Sequence, residues 1–113
     1  MQNIRSYKEL RVYQTAIDAA MQIFELTKHF PADERFGLTA QLRRAAISIP
    51  SNIGEGQRRK RRKAFLNRLD IALGSQGEVD VQNELALRLK FFSAKEHARY
   101  KPVSTASGGC SMA

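Results

Sequence analysis

The chain has 113 residues, 42% of them hydrophobic and 27% charged, with a formal net charge of +8. That length fits one domain around one core and excludes a separate substrate domain, and the apolar content excludes wholesale disorder. The single cysteine, Cys110, excludes an internal disulfide or a cysteine-built zinc site.

The chain reads as cytoplasmic. Met1-Gln2-Asn3-Ile4-Arg5 is not followed by an apolar signal core. The apolar runs are short and broken by charge, so no membrane span is expected, and one unpaired cysteine fits a reducing compartment.

Ser6, with Glu9 three residues on, resembles a capping box. Leu10, Tyr13, Ile17, Ala20, Phe24 and Thr27 then recur in steps of three and four, widened by Ala16, Met21 and Ile23. This predicts an amphipathic helix over about 7–29, stopped by Pro31. Asp33 is the expected cap of a second helix. Its apolar positions are Phe36, Leu38, Leu42, Ala45, Ala46, Ile49 and Ile53. Pro50 sits inside that pattern, so the helix either kinks near Ile47–Ile49 or ends there and restarts on Ser51 or Asn52. A third helix is expected from about Lys60 to Phe91. Its stripe is Phe65, Leu69, Ala72, Leu73, Val79, Leu85 and Leu89, flanked by Ile71, Val81 and Leu87. Gly74 and Gly77 lie within it at about 1 kcal/mol each relative to alanine, a cost that a close neighbouring backbone would explain. Ser93 to Tyr100 suggests two further turns capped by Ser93, and Pro102 ends them. The expected layout is a helical domain over residues 1–100 and a flexible or irregular tail over 101–113. Alternating strand patterns and internal repeats are absent. Long helices with short connections give the fold expectation: an all-α, up-and-down antiparallel four-helix bundle whose fourth helix is short or irregular.

The charge is localised. Residues 1–57 hold seven Lys/Arg against six Asp/Glu, and residues 64–113 hold six against five. Between them stands an unbroken run, Arg58, Arg59, Lys60, Arg61, Arg62 and Lys63. A near-neutral protein with one basic spot points to a polyanionic partner. Six cations opening a helix also repel one another and oppose its dipole, a placement that packing alone would not favour. No aromatic interrupts the run, so sequence-blind contact with the phosphates of RNA or DNA is expected rather than base stacking. The structural alternative is a solvated face. Arg43 and Arg44 are further candidate nucleic-acid contacts. Adjacent helical residues point about 100° apart, so one could join the basic face while the other pairs with an acid such as Glu55. Ser48, Ser51, Asn52 and Glu55 surround Pro50, and the favoured reading is repair of the backbone groups the proline frees.

Nothing in the sequence suggests an enzyme, a cofactor or a small-molecule substrate. His29 and His97 lie in no metal-binding or nucleophile-activating spacing. Asp18, Asp33, Asp70 and Asp80 are scattered, so a metal nuclease is disfavoured. Cys110 has no nearby base. A compact helix-turn-helix reader ranks below the other readings because these helices are too long for one.

Several segments carry a family likeness: Tyr7 to Gln14, Phe30-Pro31 through Phe36-Gly37-Leu38, Gln41 through Gly56 with its Ser48-Ile49-Pro50-Ser51-Asn52-Ile53 centre, and Ala72-Leu73-Gly74-Ser75 with Glu78. In these the chain, over residues 6–90, resembles the bacterial four-helix-bundle proteins encoded in intervening sequences of 23S ribosomal RNA genes. The resemblance implies a four-helix bundle and a homo-oligomer. Relatives such as the accessory variability determinant of diversity-generating retroelements are similar to pentameric barrels with basic surfaces, associated with a reverse transcriptase and nucleic acid. The sequence departs from the family wording at Gly54 and at Gln82-Asn83-Glu84. Residues 101–113 also lack the apolar ladder of the family's fourth helix. Together these readings give a non-enzymatic homo-oligomer, a pentamer by resemblance, that binds nucleic acid through its basic face. The alternative is a protein–protein scaffold whose basic run docks an acidic partner.

Overall fold

The computed structural model describes residues 10–103. Four helices and one short turn make up these residues: α1 (Arg11–Thr27), a 3₁₀ turn (Ala32–Glu34), α2 (Leu38–Arg58), α3 (Arg62–Arg88) and α4 (Ala94–Arg99). There is no strand among the described residues.

α1 begins at Arg11 with extended Leu10 as its cap, later than the expected start near residue 7. Ser6 and Glu9 lie outside the described residues. Its core face is Val12, Ala16, Ala19, Ile23 and Thr27, turned by about one residue from the expected stripe. Tyr13, Ile17 and Ala20 only flank the core, and Phe24 and Met21 are exposed. Small residues at 16 and 19 let α1 approach α2 closely, so the larger side chains are displaced to the rim.

The cap of α2 is not Asp33. The Glu34 carboxylate accepts the Leu38 N–H at 3.1 Å, which satisfies one of the unpaired donors of a helix start and places negative charge there. Phe36 faces solvent at 87% exposure, with the Arg35 guanidinium 5.1 Å from its ring centre. The other expected apolar positions of α2, from Leu38 to Ile53, are buried. α2 continues through Pro50, so there is no restart at Ser51 or Asn52.

α2 is the central element, packing against α1 on one side and α3 on the other. Along the second seam Gln41 meets Gln82 at 3.4 Å, Ser48 meets Ser75 at 2.7 Å and Asn52 meets Arg68 at 3.1 Å. Residue numbers rise along α2 as they fall along α3. The buried face of α3 is mixed: Leu69, Ala72, Val79 and Ala86 alternate with Ser75, Gln76 and Asn83. Leu85 and Leu89, expected in the core, are half exposed, because the core side is chosen by polar partners on α2 and the C-terminal segment.

α4 has the expected Ser93 cap, and Glu96 completes it as a capping box. Ser93 Oγ accepts the Glu96 N–H at 3.0 Å, and Glu96 Oε1 accepts the Ser93 N–H at 2.9 Å. Phe30, Phe91 and Phe92 stack at its base, with centroids 5.3 and 5.7 Å apart. Beyond it the chain stays attached. The Lys101 N–H donates to Gln22 Oε1 and the Val103 N–H to Gln76 Oε1, both at 2.9 Å, and Val103 is buried. Expectations for residues 104–113, Cys110 included, fall outside the described residues.

Candidate nucleic-acid interface

The basic run forms the end of α2, the turn and the start of α3. Two backbone features bring it to a tight corner. A Cβ on Gly56 would lie 2.8 Å from Arg68 Cβ and 3.2 Å from Phe65 Cα, so only glycine lets the two helices converge there. Lys60 then takes a left-handed conformation, φ 59°, within the three residues that separate α2 from α3. Its N–H donates to Gln57 O at 3.1 Å. Arg61 is extended and precedes α3 without a side-chain cap, and the first turn of α3 holds no acid.

All six residues, Arg58, Arg59, Lys60, Arg61, Arg62 and Lys63, are exposed. One carboxylate faces them. Glu55 accepts from Arg59 Nε at 2.9 Å and lies 3.6 Å from Arg58. The hydrogen bond from Arg59 is the main cause holding the Glu55 carboxyl below its ordinary range, with the Arg59, Arg58 and Arg68 charges adding to it. Lys60, Arg61, Arg62 and Lys63 take part in no ion pair among the described residues.

Arg43 and Arg44 are not brought to this corner. They precede Arg58 by fourteen or more helical positions, about 21 Å at about 1.5 Å per residue. Arg43 stacks on the Phe24 ring at 4.7 Å and donates to Thr27 Oγ1 at 2.8 Å and Phe24 O at 3.3 Å. It ties α2 to the end of α1. Arg44 is exposed, in a shallow groove with Gln41, Ser48, Glu78 and Gln82. Neither pairs with Glu55, whose partners lie on the following turn of the same helix.

The cluster around Pro50 does something other than proline repair. The carbonyl freed by a proline at 50 belongs to Ala46, whereas Asn52 Nδ2 donates to Ser48 O at 2.8 Å and Ser48 Oγ at 3.1 Å. Ser48 Oγ reaches Ser75 Oγ, and Arg68 Nη1 donates to Asn52 Oδ1. The result is a polar relay joining α2 to α3 beneath the basic corner. Arg68 was missed by the sequence reading. The i, i+4 spacing of Ser48 and Asn52 was the available signal, but it does not say which helix lies opposite. His97 packs edge-on against Phe92. His29 borders an open cleft with Glu25, Glu96 and Arg99. No cluster able to hold a metal ion occurs among the described residues, and none of their helices is long and apolar enough to cross a membrane.

A family model described as 23S rRNA-intervening sequence protein matches residues 8–105. No curated protein matches the chain.

Proposed function

Because the chain belongs to the 23S rRNA-intervening sequence protein family, whose name states no activity, we propose its role from geometry and charge: a non-enzymatic helical homo-oligomer that binds nucleic-acid backbones through the α2–α3 corner without reading sequence. The up-and-down antiparallel bundle belongs to this reading, supported by the descending register of the α2–α3 seam. A ring of five is the size suggested by the likeness to the accessory variability determinant.

The observation that carries the reading is the four consecutive exposed cations from Lys60 to Lys63 with no carboxylate against them. They stand where the α3 dipole already disfavours positive charge. Phosphates would relieve both the mutual repulsion and the dipole conflict, and would release counterions. Arg58 and Arg59, held by Glu55, frame the corner.

The test is fluorescence anisotropy of nuclease-treated protein with a short RNA and a short duplex DNA across a salt series. Four phosphate contacts predict a slope of about −3 to −4 in log affinity against log salt. Replacing Lys60, Arg61, Arg62 and Lys63 with glutamine should abolish most of that slope. Salt-independent binding, or binding unchanged in the variant, would defeat the reading. An acidic protein captured by the same four residues, with no nucleic-acid binding at low salt, would favour the docking alternative.

A further inference from the structure

Arg68 lies outside the basic run, yet it is held as a binding residue would be. It is partly buried, and its Cβ packs at Gly56, 2.8 Å from where a Cβ on that residue would lie. The Asn52 amide fixes its head. Asn52 Nδ2 donates to Ser48 O at 2.8 Å and to Ser48 Oγ at 3.1 Å. That turns Asn52 Oδ1 toward α3, where it accepts from Arg68 Nη1 at 3.1 Å. Ser48 Oγ is held in turn by Ser75 Oγ at 2.7 Å. A guanidinium carries a fork of N–H donors. Beyond this one bond, Arg68 forms no hydrogen bond or ion pair among the described residues. A long side chain is thus ordered at an entropic cost, with its charge unpaired and partly withdrawn from water. Packing alone does not favour that state. An anion against the remaining donors does.

Place and charge identify the anion. Asn52 and Arg59 are seven positions apart on α2, so they lie two turns apart on one side of that helix. Arg68 stands opposite Gly56, between them. The α2–α3 seam therefore leads from the basic corner past Arg59 to Arg68 within about 10 Å, at about 1.5 Å per residue. Glu55 is the acid beside them. It already accepts from Arg59 Nε at 2.9 Å and lies 3.6 Å from Arg58. Arg68 acts on it through charge, after the Arg59 hydrogen bond and the Arg59 and Arg58 charges. Three arginines around one carboxylate leave this stretch positive. Further along, Glu78 shares a groove with Arg44 and Ser48, and the favourable stretch ends there. A planar fork with open donors suits the paired oxygens of a phosphate.

We propose that Arg68 is a phosphate contact positioned by Asn52 and Ser48, and that the nucleic-acid backbone leaves the basic corner along the α2–α3 seam past Arg59. The proposal rests on the functional reading of the corner. It adds a direction, and a contact that the run of cations does not contain.

The experiment is the anisotropy salt series with the same short RNA and short duplex DNA, run on the full chain and on Arg68→Gln, Arg68→Lys and Arg35→Gln. Arg68→Gln should bind about tenfold more weakly and lose about one contact from the salt slope. Its helical circular dichroism should be unchanged, since glutamine can still donate to Asn52. Arg68→Lys keeps the charge and loses the fork, so it should keep the slope while affinity falls. Arg35 precedes the other end of α2, over the Phe36 ring. Removing the same charge there should change neither quantity. A wild-type slope in Arg68→Gln, or an equal loss in Arg35→Gln, would overturn the contact while leaving the corner standing. Arg68→Lys binding as tightly as wild type would overturn the positioned fork. A wild-type chain without salt-dependent binding would overturn the corner and this contact together.

Discussion

Lys60 occupies a backbone region that side chains with a Cβ disfavour by about 1–2 kcal/mol. Lys90 does the same at the end of α3, φ 66°. Both positions follow a helix C-terminus, where glycine is the usual residue. Lys60→Gly should therefore raise unfolding stability by about 1 kcal/mol in urea denaturation, while lowering nucleic-acid affinity and reducing the salt slope by about one contact. Lys90→Gly should give a similar gain with no change in binding, which separates backbone strain from charge. The run itself was legible in composition, because six adjacent cations need no fold to be seen. The strain at Lys60 was not, because a basic block contains no turn residue to mark where the chain reverses. Arg43 was misplaced for a related reason: its Phe24 and Thr27 partners lie on another helix.

At the scale of the element, α4 was readable because Ser93 and Glu96 form a local motif. The faces of α1 and α3 were not. Their apolar residues spread around the helix, so the buried side depended on neighbours the pattern does not name. Gln76 shows this. It is buried at 4% exposure, accepts the Val103 N–H, and donates from Nε2 to the Tyr100 hydroxyl and to Asp80 Oδ1, both at 3.0 Å. It clamps the segment after α4 onto α3. Burial pushes the Tyr100 hydroxyl from 10 up to about 12. The folded value is the higher, so the folded state holds this proton longer than the unfolded chain. The contribution is complete below pH 10 and is lost as pH rises toward about 12. Tyr100→Phe should lower stability by about 1 kcal/mol at neutral pH, the cost of one hydrogen bond. It should also remove the part of the alkaline decline that falls in that window. Denaturant midpoints measured across the window for both proteins check this.

At the scale of the whole molecule, the body measures 45 × 25 × 19 Å, and the basic corner lies where α2 turns into α3. The four cations without a facing carboxylate, Lys60 to Lys63, are consecutive, so one corner meets only a few adjacent phosphates. In the proposed homo-oligomer the corners of several copies are linked. Once one corner has bound, a second contact on the same duplex is intramolecular and governed by effective concentration rather than by a new interface. A duplex long enough to reach two corners should therefore bind on the order of 100-fold more tightly than one that reaches a single corner at equal salt, with a steeper salt slope because more phosphates are neutralised. Anisotropy titrations of short and long duplexes across a salt series check this. Equal affinity and equal slope for both lengths would mean that the corners of different copies act separately.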